Sequence, residues 1–136
     1  MIVLVAHARI LLVDDYSDAL DMWGVYLRSC GYDVITAADG LIALEIASSQ
    51  LPDVIVLDLD LPGITGYEAA KRLRQGLTTS RIPLIAATGF SHERQLDEAR
   101  DSGFDAVLVK PCEPATLVRE IERVLDHARR TQLRPD

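Results

Sequence analysis

The sequence predicts an α/β domain built on a single doubly wound, five-stranded parallel sheet with helices on both faces. The first observation is that five short runs of β-branched and apolar residues alternate with five segments of helical periodicity. The second is that 136 residues, 49% of them hydrophobic and 26% charged, suit one globular domain with one core. Because parallel strands are joined by right-handed crossovers, the intervening helices should cover the sheet on both sides.

The first strand-helix unit starts with residues 9–13, RILLV, a predicted strand that stops at the adjacent carboxylates Asp14 and Asp15. Ser17 is expected to cap the following helix, and Gly31 suits the left-handed position that ends it. The apolar positions of this helix recur at steps of three and four residues, at Ala19, Met22, Trp23, Tyr26, Leu27 and Cys30.

The second unit comprises a short strand over residues 32–36 and a helix opened by Asp39-Gly40. One face of this helix is expected to carry Leu41, Leu44, Ala47 and Ser48.

The central strand is predicted over residues 53–57, an apolar run entered through Pro52 and left through a turn at Gly63. A short continuous run of this kind is typical of a strand buried on both faces of a parallel sheet. It ends at Asp58, with Asp60 just beyond, at the sheet edge where open α/β folds bind ligands. A carboxylate beside apolar residues is costly without a cation or hydrogen bonds, which favours a chemical role.

The third helix is predicted over residues 66–74, because residues 65–68, TGYE, form a capping-box pattern. The polar linker from there to Arg81 is expected to be exposed. The fourth strand is predicted over residues 84–87, LIAA, and it ends at Thr88.

The last two helices flank the fifth strand. Ser91 is expected to cap a helix that stops near Gly103, and residues 105–109, DAVLV, form the strand, with Lys110 directly at its end. Pro114 suits the first turn of the final helix, whose apolar face comprises Leu117, Val118, Ile121, Val124 and Leu125.

Charge and composition exclude several classes of partner. A net charge of −7 and a pI near 4.9 argue against direct binding to nucleic acid, which needs clustered Lys and Arg. Residues 1–6 are apolar but lack a basic flank and are far shorter than the roughly 20 residues of a membrane span. Cys30 and Cys112 have no metal-ligand spacing and are expected to be reduced thiols, Cys30 in the core. A cytoplasmic protein without membrane contact is predicted.

Four predicted strands end in side chains that can do chemistry, namely Asp14 with Asp15, Asp58 with Asp60, Thr88, and Lys110. In a doubly wound sheet these ends converge on one crevice. Carboxylates held close together repel, and Mg²⁺, which prefers oxygen ligands, is the usual way to neutralise them. A hydroxyl and an ammonium opposite the acids supply the donors and positive charge that a phosphoryl group needs.

The motifs follow one another along the chain as DD at 14–15, VLDLDLPG at 56–63, AATG at 86–89 and KP at 110–111. This series resembles the receiver domain of two-component response regulators, which has a flavodoxin-like (βα)5 fold. The resemblance implies that Asp58 accepts a phosphoryl group from a histidine kinase or phosphotransfer protein, with Mg²⁺ as cofactor.

The same resemblance implies a role for each matching residue. Asp15 and Asp58 would bind Mg²⁺ directly, Asp14 would act through water, and the backbone carbonyl of Asp60 would complete the protein ligands. Thr88 and Lys110 would contact the phosphoryl group, and the peptide bond after Lys110 is expected to be cis.

The resemblance covers residues 9–127, which leaves residues 1–8 as an N-terminal extension and 128–136 as a polar tail, expected to fray from His127. Output is expected through contact with an unknown downstream protein, and a weak homodimer is left open.

Thr88 and Val107 occupy the two switch positions of the family, but family members usually carry an aromatic residue where this chain has Val107. The usual aromatic switch is therefore absent. Phe90, in the loop after Thr88, is the candidate large side chain to respond to phosphorylation.

Two alternatives are left open. Asp58 and Asp60 also match the nucleophile motif of haloacid-dehalogenase-like phosphohydrolases, which are Mg²⁺-dependent enzymes. That motif continues to Thr or Val where this chain has Pro62, and its acidic metal pair comes last instead of first. The other alternative is a phosphorylation-independent interaction module, against which the complete set of acids, hydroxyl and lysine argues.

Overall fold

The computed structural model describes residues 7–89 and 93–133, and in these ranges five strands alternate with five helices. The strands are β1 (Arg9–Val13), β2 (Asp33–Ala37), β3 (Val54–Asp58), β4 (Leu84–Thr88) and β5 (Ala106–Val109). They form one parallel sheet in the order β2-β1-β3-β4-β5. The predicted fold class is confirmed, and the strand order reverses between β1 and β3, where doubly wound sheets bind ligands.

The helices form a layer on each face of this sheet. They are α1 (Ser17–Ser29), α2 (Gly40–Gln50), α3 (Gly66–Gln75), α4 (Glu93–Asp101) and α5 (Pro114–Leu133). Buried residues of α2, α3 and α4 join one core cluster, and those of α1 and α5 join the other. Every residue of β3 and β4 is buried, as expected for central strands covered on both faces.

The pleat of the strands divides their side chains between the two cores. Leu11 of β1 and Ile55 of β3 belong to the α2–α4 side, whereas Ile10 and Val54 belong to the α1–α5 side. Successive residues of a strand point to opposite faces, so one continuous apolar run supplies both cores.

Helix α1 differs from its prediction in its cap and its buried face. Ser17 is the first helical residue and Tyr16 holds the N-cap position, where Asp14 closes the turn by accepting a hydrogen bond from the Tyr16 N–H. Gly31 has the predicted left-handed conformation, with φ +96°. The buried residues are Trp23, Gly24 and Leu27, whereas Met22, Tyr26 and Cys30 are exposed. Residues four apart lie on the same face of a helix, whichever face that is. The spacing alone therefore does not say which face turns inward.

Helix α2 packs through small residues. Its buried positions are Gly40, Ala43 and Ala47, whereas Leu41 and Ser48, predicted to share one face with Ala47, are exposed. A Cβ atom on Gly40 would lie 2.6 Å from the Ile64 side chain, so the helix start approaches too closely for a larger residue.

The second half of the chain contains one confirmed cap and two departures. The Thr65 side chain accepts a hydrogen bond from the Glu68 N–H at 3.1 Å, as the capping pattern predicted. The linker before β4 is partly buried, because the Thr79 hydroxyl donates to the Leu73 carbonyl at 2.7 Å. Helix α5 continues to Leu133, past the point where fraying was expected.

The predicted helix cap Ser91 lies outside the described residues. Within the part of the chain that the structure describes, no helix has both the length and the apolar character needed to span a membrane.

Candidate functional site

Carboxylates from two neighbouring strand ends form an acidic cluster at the carboxyl edge of the sheet. Asp14 follows β1 and Asp58 ends β3, and these strands are paired through Val13 and Leu57. Asp14, Asp15 and Asp58 each offer an oxygen, and these oxygens lie within 4.8 Å of one another. Asp14 and Asp58 are buried, whereas Asp15 is exposed. Three carboxylates at this spacing suit a hard divalent cation such as Mg²⁺.

Lys110 reaches this cluster from the loop after β5. Its Nζ donates to Asp14 Oδ2 at 2.7 Å and to Asp58 Oδ2 at 3.5 Å. Its backbone N–H donates to the Thr88 carbonyl at 2.7 Å, which ties the end of β5 to the end of β4. The Lys110-Pro111 peptide bond is cis, as the resemblance implied.

Burial and neighbouring charges act in opposite directions on the two central groups. The pKa of Asp58 is raised, chiefly by burial and also by the Asp14 charge. The Asp60 N–H and the Lys110 ammonium act in the opposite direction but do not outweigh burial. Burial by itself lowers the pKa of Lys110, but the hydrogen bond and charge of Asp14, together with Asp58, outweigh it and raise that pKa. Lys110 is therefore protonated at neutral pH. A further cation bound near Asp58 would stabilise the charged form of its carboxyl group.

A cavity of about 640 Å³ extends from the acidic cluster towards α1. Its apolar wall includes Ala19, Leu20, Met22, Trp23 and Pro111. Trp23, one of the recurring apolar positions of the predicted first helix, is buried and also lines this cavity. The α1 wall was missed from the sequence, although a helix that begins two residues after Asp15 has to start beside the same strand ends.

Cys112 lines the same cavity but is a poor nucleophile. Burial raises the pKa of its thiol more than the nearby Lys110 charge lowers it. Little thiolate is therefore present at neutral pH, and the reactive form of cysteine is the thiolate. The carboxylate of Asp58 is the better candidate nucleophile in this cavity.

The other residues predicted for the site lie close to it, but not all of them line the cavity. Asp60 lines it, and its backbone N–H donates to Asp58 Oδ1 at 3.0 Å. Thr88 ends β4 and is buried. Val107 pairs with Ala86 on β4 and is half-buried against the core of the α2–α4 side, away from the cavity lining. Phe90 lies outside the described residues.

Gly66 allows α3 to begin directly against the end of β3. Its N–H donates to the Leu59 carbonyl at 3.0 Å. A Cβ atom at this position would overlap the carbonyl oxygen of Asp58 and lie 2.7 Å from the Leu59 Cα. Because these are backbone atoms, no side-chain rotation can relieve the overlap.

We expect Gly66→Ala to lower the free energy of unfolding by about 2–3 kcal/mol through this forced displacement. The matched control is Gly24→Ala in α1, where the new Cβ would lie 3.2 Å from the far end of the long Arg28 side chain and near no backbone atom outside the helix among the described residues. Alanine favours helix at that position by up to about 1 kcal/mol. Urea unfolding of both variants measures the difference, and equal stabilities would show that α3 can move away from Asp58 without cost.

Fold and site together define a class: an α/β domain with an acidic, lysine-containing pocket where the strand order reverses. The chain matches the family described as "Response regulator receiver domain" over residues 10–122. It belongs to this family, as the resemblance implied, and is a receiver domain of two-component systems.

The relatives of this chain differ in length. Protein PilH of Pseudomonas aeruginosa is 32% identical over 118 residues, which cover 87% of this chain and 98% of PilH. The DNA-binding dual master transcriptional regulator RpaA of Synechocystis is 34% identical over 117 residues, 86% of this chain. The chain spans only 48% of RpaA and 29% of the response regulator PleD of Caulobacter vibrioides.

Solved structures share the fold. The chemotaxis protein CheY4 of Vibrio cholerae is 35% identical with a TM-score of 0.84, covering 88% of this chain and 99% of that protein. The receiver domain of sensor histidine kinase PA1611 from Pseudomonas aeruginosa is 33% identical with a TM-score of 0.83. That match covers 89% of this chain and 99% of the PA1611 chain, which has a magnesium ion coordinated in its active-site cleft.

Proposed function

We propose that Asp58 accepts a phosphoryl group from the phosphohistidine of a histidine kinase or phosphotransfer protein. A carboxylate oxygen of Asp58 forms a bond to phosphorus while the phosphorus–nitrogen bond of the donor breaks, and the released imidazole nitrogen takes up a proton. Such transfers depend on positioning and on neutralising charge, so the receiver needs little covalent chemistry of its own.

The observation that carries this proposal is the position of Lys110, whose Nζ lies between Asp14 and Asp58 at 2.7 and 3.5 Å. The Asp60 N–H donates a hydrogen bond to Oδ1 of Asp58. This leaves Oδ2, which faces Lys110, as the candidate attacking atom. An ammonium there would stabilise the phosphoryl oxygens. Thr88, which ends the neighbouring strand, is proposed as the second contact.

Mg²⁺ is the proposed cofactor. Asp15 and Asp58 would hold it directly and Asp14 through water, together with the backbone carbonyl of Asp60. The donor set is all oxygen, as Mg²⁺ prefers. When bound, the ion would neutralise charge on the acids and the phosphoryl group. The magnesium ion in the related PA1611 receiver supports this assignment.

The test is incubation of the full chain with radiolabelled acetyl phosphate, with Mg²⁺ or with EDTA. We expect labelling that needs Mg²⁺, and no sustained turnover of p-nitrophenyl phosphate. Sustained turnover would instead favour the haloacid-dehalogenase-like hydrolase. Absence of both labelling and Mg²⁺ binding would favour a phosphorylation-independent module.

Mg²⁺ should stabilise the fold by mass action. At about 10 mM Mg²⁺ and a millimolar dissociation constant, we expect the melting temperature to rise by about 5 °C. Asp15→Asn should lose most of this rise, because it removes one of the three clustered carboxylates. Asp18 is an exposed acid in the first turn of α1, and Asp18→Asn is the control, which should keep the rise in melting temperature. Equal rises in the two variants would remove Asp15 from the site.

Val107 should limit how far phosphorylation changes the β5 side of the domain. Valine is stiff at χ1 and cannot move between buried and exposed positions as an aromatic ring can. With beryllofluoride as a phosphoryl mimic, amide shifts should be large at Thr88 and Gly89, but small around Val107 and along residues 114–125. Equally large shifts in all these places would overturn this proposal, and Mg²⁺ alone is the control titration.

The domain boundaries and biological setting complete the proposal. We assign residues 9–127 to the receiver unit, with 1–8 and 128–136 as flanking segments. The proposed location is the cytoplasm, where the free thiols of Cys30 and Cys112 stay reduced. Its output would be contact with a downstream protein, without direct binding of nucleic acid or membrane, and self-association would be at most a weak homodimer.

A further inference from the structure

A second cavity, which we call the basal groove, lies at the edge of the sheet opposite to Asp58. It has a volume of about 540 Å³ and is lined by Arg74, Arg81, Pro83, Asp105, Arg123 and His127, among others. Pro83 and Asp105 directly precede β4 and β5, so the groove opens at the amino ends of these strands. The α5 wall carries Arg123, His127 and Thr131 at four-residue spacing, which places them on one face of the helix.

One positively charged side chain of the groove, that of Arg81, has no counter-charge among the residues that the structure describes. Arg74 and Asp105 are paired at 2.9 Å and cancel each other. Arg123 is held at the rim by Glu120 at 2.7 Å. The Arg81 guanidinium and the His127 ring make no hydrogen bond or ion pair with any residue that the structure describes. In a chain of net charge −7, this is a local concentration of unpaired donors.

The chemistry of the groove indicates the kind of ligand. Arginine presents a planar set of donors that suits phosphate oxygens, and an imidazole N–H can add another. Pro83, Val124 and Ala128 supply an apolar part of the lining. The volume falls within the range of small-molecule sites, about 300–1,000 Å³.

We propose that the basal groove binds an organic phosphate monoester, with Arg81 and His127 on the phosphate and Pro83, Val124 and Ala128 against its apolar part. This site is separate from the one around Asp58, because it lies at the other end of the sheet and Asp105 is the one acid among its described lining residues. Its walls come from the start of β4, the turn before β5, and α5, so a bound ligand would hold these elements together.

The experiment uses the ¹⁵N-labelled full chain without Mg²⁺, titrated with adenosine monophosphate and, separately, with inorganic phosphate. We expect amide shifts at residues 80–83, 103–105 and 123–131, and adenosine monophosphate should bind several-fold more tightly than phosphate because it also uses the apolar lining. Arg81→Ala and His127→Ala should each weaken binding of adenosine monophosphate by about tenfold.

Arg129→Ala is the matched control, because this exposed arginine lies on α5 outside the groove lining and should leave binding unchanged. The same spectra report whether each variant is folded. The proposal is overturned if no shifts arise up to about 10 mM ligand, or if they occur only near Asp58 and Lys110. It is also overturned if Arg81→Ala binds as tightly as the parent chain, or if phosphate and adenosine monophosphate bind equally.

Discussion

Replacing Arg74 with methionine is expected to lower the free energy of unfolding by about 3 kcal/mol or more. Nε and Nη2 both donate to the Gly103 carbonyl, at 3.0 and 2.7 Å, and Nη1 donates to the carbonyls of Ser80 and Ile82 at 2.9 and 2.7 Å. Nη2 also pairs with Asp105 at 2.9 Å. Methionine keeps the apolar stem but leaves three partly buried carbonyls without a donor. The melting temperature should fall by about 10 °C.

The neighbouring Arg72 on the same helix is the control. Among the described residues its side chain pairs only with Glu68, at 3.3 Å, and both side chains are about half exposed. Arg72→Met should therefore cost no more than about 0.5 kcal/mol. Arg74→Lys should fall between the two, because lysine keeps the charge but not the planar set of donors. If Arg74→Met and Arg72→Met unfold at the same urea concentration, Arg74 does not hold α3 to the turns before β4 and β5.

Replacing Lys110 with alanine is expected to slow labelling by acetyl phosphate by about 100-fold at saturating Mg²⁺, because the variant loses the ammonium beside the attacking oxygen. The same variant should bind Mg²⁺ more tightly. The ammonium lies 2.7 Å from Asp14 Oδ2 and 3.5 Å from Asp58 Oδ2, where it opposes a second cation. Fluorescence of Trp23, the single tryptophan, can report Mg²⁺ binding because its side chain lines the same cavity.

Lys71→Ala supplies the control for charge, since this exposed lysine lies on α3 outside the cavity lining. It should change neither labelling nor Mg²⁺ affinity. If Lys110→Ala were labelled at the parent rate, the proposed role of the ammonium in the transfer would be wrong. If its Mg²⁺ affinity were unchanged, the lysine would not be competing with the cation for the carboxylates.

Strand positions could be predicted from sequence because central parallel strands are buried on both faces and leave short, continuous apolar runs. The polar residues after those runs then predicted the acidic cluster, since the carboxyl ends of parallel strands meet at one edge. Asp14, Asp15, Asp58 and Lys110 are brought together as this reasoning required.

Contacts between distant segments could not be predicted in the same way. The contacts of Arg74 could not be predicted from the sequence, because its acceptors at Gly103 and Ile82 are backbone carbonyls brought near only by the fold. The inward face of α1 could not be predicted, because Met22 and Tyr26 share a helical spacing as regular as that of Trp23 and Leu27. Which face turns inward depends on the angle at which the helix leaves its strand.

The most direct test of phosphoryl transfer to Asp58 is to map the modified residue. The chain is treated with acetyl phosphate and Mg²⁺, reduced with borohydride to convert an aspartyl phosphate into homoserine, digested, and analysed by mass spectrometry. We expect homoserine at position 58, none in Asp58→Asn, and undiminished conversion in the neighbouring control Asp60→Asn, which keeps the backbone N–H that donates to Asp58. Homoserine at another position in the parent chain, or undiminished conversion in Asp58→Asn, would contradict it.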